Sequence, residues 1–310
     1  MRANYLVLCG IALLAVSQVS HAQDKRRVTY TDPAKAGPDY KIQGEYVAVK
    51  EPKTAKVAVQ IVALGGGQFD LYVLGGGLPG DGWDTKTRTK ISGKTDSKGT
   101  VVFRDKKNVA EIVNGKLVFD SGDETIAMKK IQRKSKTEGA KPPKGAIVLF
   151  DGTTTEAWAG GKIVADNLLH SGTRSKKSYL VKKIHLEFRT PFRPYGRGQG
   201  RGNSGTYING REIQILDSFG LDGKRNECGA IYGRAAPRIN MCYPPLTWQT
   251  FDAEYKVGNK GLLTATIWHN GVMVHENVNL RRGHTPQPIN LQAHGNPVYY
   301  KNIWILTMEK

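Results

Sequence analysis

The chain has 310 residues and a formal net charge of +19, with 46 Lys and Arg residues against 27 Asp and Glu residues. A balance this basic raises the question of nucleic-acid binding, but no basic helix or known nucleic-acid motif is present, so we expect no nucleic-acid partner. Anionic cell-surface polymers, or solubility in the native medium, explain the charge better. Both halves of the chain are basic, so the charge does not locate a site.

The N-terminus has the pattern of an export signal. A basic start at Arg2 leads into an apolar run over residues 5–16, and Ser20-His21-Ala22 supplies a small-x-small cleavage site. The apolar run is too short to span a bilayer and no later segment resembles one, so we expect no integral membrane segment. The sequence predicts a signal peptide over residues 1–22 and an exported protein, periplasmic or extracellular.

Two cysteines remain after the signal, which carries Cys9. Cys228 and Cys242 are closely spaced in a Gly- and Pro-rich stretch, and in an oxidising compartment such a pair most simply forms one disulfide. Closing a loop of this size would stabilise the fold by roughly 3 kcal/mol. A metal site at this place is a weak alternative, because no further His or Cys lies nearby in the sequence.

Residues 40–134 predict a small all-β domain built as a meander. Short β-like runs are separated by turn signals such as Gly65-Gly66-Gly67 and Asn114-Gly115. Its Asp residues fit no calcium loop, and turn positions explain them better. Residues 135–144, with Pro142-Pro143, predict an interdomain linker.

Residues 145–310 predict a second all-β domain. About ten β-like runs with hairpin turns such as Asn270-Gly271 indicate a two-sheet sandwich. Three of these runs alternate apolar residues with unusual polar ones: Glu212 and Gln214 in the first, His185, Glu187 and Arg189 in the second, Gln292 and His294 in the third. If the three strands share a sheet, these polar side chains converge on one surface. The alternative is an ordinary solvated sheet face.

The order of motifs in this second domain resembles the 3-keto-disaccharide hydrolase family over about residues 144–310. The motifs that carry the resemblance are Leu149-Phe150-Asp151-Gly152, Glu187-Phe188-Arg189, Asn203-Ser204-Gly205, Glu212-Ile213-Gln214-Ile215-Leu216-Asp217, Gly229-Ala230-Ile231-Tyr232, Leu291-Gln292-Ala293-His294-Gly295 and Asn302-Ile303-Trp304-Ile305. The resemblance implies a concanavalin A-like jelly roll. It also implies cleavage of a glycosidic bond in a carbohydrate substrate whose sugar is oxidised at carbon 3.

The chemistry implied by the resemblance requires a base, an acid and stabilisation of an enolate oxygen. Glu187, Glu212 and His294 are the candidate catalytic residues. The candidate enolate stabiliser is Arg189 or a bound divalent cation. The candidate substrate-binding residues are Arg189, Asn203, Gln214, Trp248 and Gln292. Direct hydrolysis by two carboxylates, Glu212 with Glu187 or Asp217, is the competing mechanism.

Each of these assignments has a plainer alternative. Glu187 and Arg189 could form a surface ion pair, and Asp217 alternates to the apolar side of its strand, where a structural role in the following turn is favoured. The Gly- and Arg-rich stretch over residues 193–201 is either a loop that recognises an acidic or sulfated glycan or a solvated loop. The isolated histidines are expected at the surface: His170, His269, His275 and His284. For the whole chain, a lectin-like binding protein or a cell-surface adhesion protein is the alternative to an enzyme.

Overall fold

The structure is a computed structural model, and it describes residues 25–308. The predicted signal peptide lies outside these residues. The regular secondary structure of the described chain is almost entirely antiparallel strand, which confirms the predicted all-β fold. Its single α-helix, α1, is the short segment Gly37–Ile42. None of the helices within residues 25–308 is long and apolar enough to cross a membrane.

The first eight strands form a closed barrel. Each strand pairs with the next, and the first strand closes the barrel by pairing with the eighth. Closure completes the predicted meander and leaves no unpaired edge. Phe69, Phe103 and Leu71 fill the interior. The strands are β1 Gly44–Ala48, β2 Val57–Gly65, β3 Gln68–Gly75, β4 Arg88–Thr95, β5 Val101–Arg104, β6 Val109–Val113, β7 Lys116–Asp120 and β8 Thr125–Ile131.

The remaining strands form a sandwich of two antiparallel sheets. The smaller sheet has five strands in the order β10 Trp158–Ala159, β13 Thr173–Tyr179, β20 Gln287–Leu291, β15 Ser204–Ile208 and β16 Arg211–Ile215. The larger sheet has eight strands: β9 Ile147–Phe150, β11 Ile163–Val164, β12 Leu168–His170, β14 Val181–Arg189, β17 Gln249–Val257, β18 Leu262–His269, β19 Val272–Gly283 and β21 Tyr299–Thr307.

Alternation along the strands puts one hydrophobic core between the two sheets. Leu186 and Phe188 of β14 belong to the same buried cluster as Ile213 and Ile215 of β16. Glu187, between Leu186 and Phe188, and Gln214, between Ile213 and Ile215, therefore point away from the core. Each sheet thus has an outer face, and the two outer faces look in opposite directions.

The barrel and the sandwich share buried contacts. Phe219, from a loop of the sandwich, packs in a cluster with Val62 and Tyr72 of the barrel. Phe192 pairs its backbone with Tyr30 and packs in the barrel cluster. The predicted linker is not a loose spacer, because it lies along the outer face of the larger sheet and hydrogen-bonds to it.

Candidate functional site

A two-residue hairpin sets the geometry of the candidate site. Asn209 and Gly210 have φ values of 49° and 73°, the positive values that the tight turn between β15 and β16 requires. This turn places Tyr207 directly opposite Glu212 and Gly205 opposite Gln214. All four residues therefore belong to the outer face of the five-stranded sheet.

The Glu212 carboxylate is held on this face from both sides. Its Oε2 accepts a hydrogen bond from the Tyr207 hydroxyl at 2.8 Å. Its Oε1 lies 3.0 Å from the side-chain amide of Gln214. Gly205 leaves the room that the carboxylate occupies, because a β-carbon at this position would collide with Glu212 Oε1. The sequence motif Asn203-Ser204-Gly205 thus has a steric role at the site.

The environment of Glu212 favours its neutral form. Partial burial raises the pKa of this carboxyl, and the hydrogen bond from Tyr207 and the charge of His294 only partly offset the rise. A carboxyl with a raised pKa exchanges a proton more readily near neutral pH than an exposed one does. Glu212 therefore has the electrostatic setting of a general acid or base.

Side-chain amides surround the carboxylate. Gln199 Oε1 accepts from Asn203 at 3.0 Å and lies 2.9 Å from the amide of Gln214. The amide of Gln292 donates to the Tyr207 hydroxyl at 3.4 Å. Polar groups of this kind orient the hydroxyls of a sugar through hydrogen bonds in both directions.

Glu187 lies far from this cluster, which corrects the expectation that the three polar strands share a sheet. Its strand, β14, belongs to the eight-stranded sheet, whereas β16 and β20 belong to the five-stranded one. Glu187 Oε1 accepts hydrogen bonds from the Gly139 backbone at 2.7 Å and from Asn302 at 2.8 Å. Sequence alternation gave the correct face of each strand, but it carries no information on which sheet a strand joins.

The charge of Glu187 is tightly compensated. Burial alone would raise its pKa, but hydrogen bonds from His185, Asn302 and Gly139 and the charge of Lys301 lower it to about 2. His185, bonded to Asp252 at 2.8 Å, has a raised pKa because the two carboxylates outweigh its burial. Glu187 is therefore a permanent anion that holds the segment 135–144 on the larger sheet.

Arg189 lies in β14 of the larger sheet, away from Glu212, and Trp248 packs against it from the loop before β17. The Arg189 guanidinium is 5.1 Å from the centre of the Trp248 ring, and the Lys301 ammonium is 4.2 Å from it. Such cation–π contacts use the ring faces that would otherwise stack on sugar. The structure therefore does not bring Arg189 or Trp248 into the cluster around Glu212.

The comparisons with known proteins find matches to the sandwich that follows the barrel. The family model of the 3-keto-alpha-glucoside-1,2-lyase-like domain matches residues 145–306, which is more than half of the 310 residues. The chain belongs to this family. Membership places the function of the chain in carbohydrate chemistry. We call residues 145–308 the lyase-like domain below.

Two solved structures resemble part of the chain. Both are named "putative glycosyl hydrolase" and come from Parabacteroides distasonis ATCC 8503. The one at 2.13 Å resolution has 28% sequence identity and a TM-score of 0.47, and the match covers 54% of this chain and 85% of that one. The one at 1.70 Å has 20% identity and a TM-score of 0.42, covering 57% and 99%. No curated protein matches the chain.

Within the lyase-like domain, five of the eight predicted site residues lie together. Glu212, Gln214 and Asn203 are linked as described, Gln292 reaches Tyr207, and His294 is close enough for its charge to act on Glu212. Sequence reasoning missed Tyr207 and Gln199. Tyr207 could have been found, because an Asn-Gly turn fixes the register that puts it opposite Glu212. Gln199 belongs to a loop, where no periodicity points to it.

The two cysteines of the predicted disulfide lie next to each other but are not bonded. The lyase-like domain holds Cys228 and Cys242 as free, buried thiols. The Cys242 sulfur lies 3.5 Å from the carbonyl oxygens of Leu216 and Tyr243. Burial, followed by the neighbouring Cys228 thiol, raises the pKa of Cys242 well above its ordinary value. The two thiols are adjacent, so oxidation to a disulfide in an exported protein stays a prediction.

Asp217 and Arg197 both have structural partners. Asp217 is buried, pairs with Arg201 at 2.8 Å, and accepts a hydrogen bond from the Phe219 backbone at 3.3 Å, which fits the favoured role in the following turn. Arg197, in the stretch 193–201, donates to the backbone oxygens of Pro194 and Leu64. Arg197 therefore fixes its own loop and ties it to strand β2 of the barrel.

The expectation that all the isolated histidines lie at the surface is wrong for two of them. His269 and His275 are buried, at 0% and 2% exposure. His269 packs against Phe251, and its burial lowers its pKa to about 3. It is therefore a neutral part of the core.

The donor set around Glu212 does not fit the divalent cation considered as an enolate stabiliser. Within residues 25–308, no three His, Cys, Asp or Glu side chains lie together in a way that could hold a metal ion. Around Glu212 the remaining donors are His294 and neutral amides, which are a weak set for such an ion. We derive no step through a metal.

Proposed function

We propose that the protein is an exported enzyme that cleaves the glycosidic bond of 3-keto-glycosides, with Glu212 as the proton-transferring residue. The observation that carries the proposal is the position of Glu212. It lies on the outer face of the five-stranded sheet, with a raised pKa, between Tyr207 and Gln214. The family match supports the substrate class.

The proposed reaction starts at carbon 2 of the oxidised sugar. The ketone at carbon 3 acidifies the proton on carbon 2, and the Glu212 carboxylate removes it. The electron pair of the broken C–H bond passes through the enolate and forms a carbon 1–carbon 2 double bond, which expels the glycosidic oxygen. Water then adds across the double bond to give the free 3-keto sugar.

The remaining residues of the cluster assist in stated ways. His294 is the candidate acid that gives a proton to the departing glycosidic oxygen. Gln214, Gln292 and Asn203 orient the sugar, and amide N–H groups can donate to the enolate oxygen. Tyr207 holds Glu212 in position through its 2.8 Å hydrogen bond.

Elimination is favoured over two-carboxylate hydrolysis by the placement of the other acids. A hydrolytic pair needs a second carboxyl about 5–10 Å from the first, across the scissile bond. Glu187 is on the other sheet, and Asp217 is buried in an ion pair with Arg201. Neither of the two candidate partners is available to Glu212.

Product analysis tests the proposal. The chain from Gln23 onward is incubated with a 3-keto-disaccharide and with its unoxidised parent, and the products are separated by mass. We expect cleavage of the keto sugar alone. Cleavage of both sugars would contradict the elimination chemistry. Binding without cleavage of either would favour the lectin-like alternative.

Export is part of the proposal and has its own test. The motif at Ser20-His21-Ala22 predicts that the mature chain begins at Gln23. N-terminal sequencing of the protein recovered outside the cytoplasm of the expressing cell should therefore start with Gln23-Asp24-Lys25. An N-terminus that retains Met1 would contradict export by this signal.

A further inference from the structure

Strand β19 is irregular near one end of the sandwich, and several arginines lie there. The turn between β15 and β16 is at the same end. Leu262 pairs with Gly283 and Thr264 pairs with Asn279, so four steps along β19 oppose two steps along β18. The extra residues form a bulge, a device that re-aims side chains. Arg281, inside it, has a φ of 52°, which is an uncommon conformation for a non-glycine residue.

Two further arginines are anchored on this bulge. Arg211 Nε donates to the carbonyl of Leu280 at 2.8 Å, and Arg234 Nε donates to the carbonyl of Asn279 at 3.1 Å. Arg282 lies against the Gly210 turn, because a β-carbon placed on Gly210 would meet Arg282 Nε at 3.8 Å. Four guanidinium groups, one from each of these arginines and one from Arg281, therefore converge on one place.

The group lacks a compensating negative charge. No carboxylate within residues 25–308 forms an ion pair with any of the four, whereas nearby Arg238 does pair with Glu276. Partial burial and then the like charges of Arg282, Arg234 and Arg281 lower the pKa of Arg211. A fold that keeps an unusual backbone in order to collect mutually repelling charges suggests a bound anion that relieves the repulsion.

The arginine group lies at the turn that brings Tyr207 opposite Glu212. Arg211 pairs with Ile208 at the end of this turn, one residue pair from Glu212, and its side chain alternates to the opposite face of β16. Tyr232 lies on the face of Glu212, because its backbone N–H donates to the Glu212 carbonyl at 3.1 Å and Ile231 pairs with Ile213. Tyr232 is 43% exposed and lines an open cavity of about 690 Å³ with Lys224, Arg225 and Asn226. The carbonyl of Asn226 accepts from Gln199, so the cavity also reaches the amide cluster.

We propose that the four arginines, together with Tyr232, form an anion subsite. The glycan cleaved at Glu212 then carries an acidic group, a carboxylate or a sulfate ester, on a neighbouring sugar. The inference rests on the proposed function for the site at Glu212 and adds the substrate class. Arginine forks bind carboxylate and sulfate oxygens in pairs, and Tyr232 offers a ring face to the adjoining sugar.

Binding rather than turnover tests the subsite, so the result does not depend on the proposed chemistry. Calorimetry is run with the full mature chain against three oligosaccharide probes of equal length: oligogalacturonate, sulfated dextran and neutral dextran. The variant is R281Q/R282Q. The matched control is K106Q/K107Q, which removes the same charge from an exposed barrel turn. Thermal unfolding of both variants verifies the fold.

We expect an acidic probe to bind and neutral dextran not to bind, with R281Q/R282Q losing about tenfold or more in affinity and the control losing little. The better of the two acidic probes identifies the anionic group. Equal losses in the two variants, or equal binding of a duplex DNA of the same charge, would overturn the proposal, because either result means attraction by net charge alone. Arginine-dependent binding by a protein that does not cleave 3-keto sugars would leave the subsite standing and remove only the proposed reaction.

Discussion

Two glutamates of the lyase-like domain show how environment assigns roles to identical side chains. Burial raises the pKa of Glu212, because only Tyr207 and the charge of His294 oppose it. For Glu187, burial is outweighed by hydrogen bonds from His185, Asn302 and Gly139 and by Lys301, and its pKa falls to about 2. A group that must gain and lose a proton resembles the first case, and a fixed structural anion resembles the second.

Replacing Glu212 by Gln should remove the proton transfer while keeping the size of the side chain. General acid–base catalysis contributes about 10²–10⁴-fold in rate, so we expect kcat/KM to fall by that order. Steady-state kinetics on a 3-keto-disaccharide measure the change. A variant with near-normal turnover would contradict the role of Glu212.

The Tyr207→Phe variant tests the electrostatics of the same carboxyl. The lost hydrogen bond stabilised the carboxylate, so the pKa of Glu212 should rise further. Because the proposed reaction uses the base form of Glu212, the acidic limb of the kcat/KM profile should move to higher pH. The profile of the wild type gives the reference. A shift toward lower pH, or none, would show that Tyr207 does not tune Glu212.

At the scale of strands, some of the site was predictable and some was not. The alternation in β14 and β16 gives the outward face of each strand correctly, and the Asn209-Gly210 turn fixes the register between β15 and β16. Which strands become neighbours in a sheet depends on long-range pairing. Sequence reasoning therefore placed Glu187 beside Glu212, although the core of the sandwich separates them.

The segment over residues 135–144 depends on Glu187. The Glu187→Gln variant removes a buried charge whose partners include Gly139 and Lys301. We expect a loss of about 1.5–3 kcal/mol in the free energy of unfolding at pH 7, measured by urea denaturation. Glu254→Gln, in the exposed pair with Lys183, is the control and should lose no more than about 1 kcal/mol.

The difference in unfolding free energy between wild type and Glu187→Gln should change with pH in one direction. The folded pKa of Glu187, about 2, lies below its ordinary value of 4.5. Its contribution is therefore complete above pH 4.5 and is lost as the pH falls through about 2. The stability difference between wild type and Glu187→Gln should shrink across that window. A difference that stays constant down to pH 2 would contradict the charge-based explanation.

The molecule as a whole is two β domains that bury aromatic residues against each other. Phe192 and Phe219 of the lyase-like domain are 1% and 0% exposed because they pack with barrel residues. Arg88 of the barrel adds an ion pair to Asp222 at 2.8 Å. The barrel is thus a structural support of the sandwich.

Removing the barrel should destabilise the remainder. A chain of residues 135–308 keeps the segment bound to Glu187 and exposes Phe192 and Phe219, each worth about 1.5–3 kcal/mol of burial. We expect its melting temperature to fall below that of the full chain and a hydrophobic dye to bind it. Equal melting temperatures would show that the barrel is an independent module.

The most direct test of the proposed site compares the two carboxylates in one assay. Wild type, Glu212→Gln and Glu187→Gln are incubated with a 3-keto-disaccharide below the unfolding transition of the least stable protein, and the released sugar is measured. We predict release by wild type and by Glu187→Gln, with release by Glu212→Gln reduced about 10²-fold or more. Loss of release in Glu187→Gln, with Glu212→Gln unaffected, would contradict this site and move the active centre to the outer face of the larger sheet.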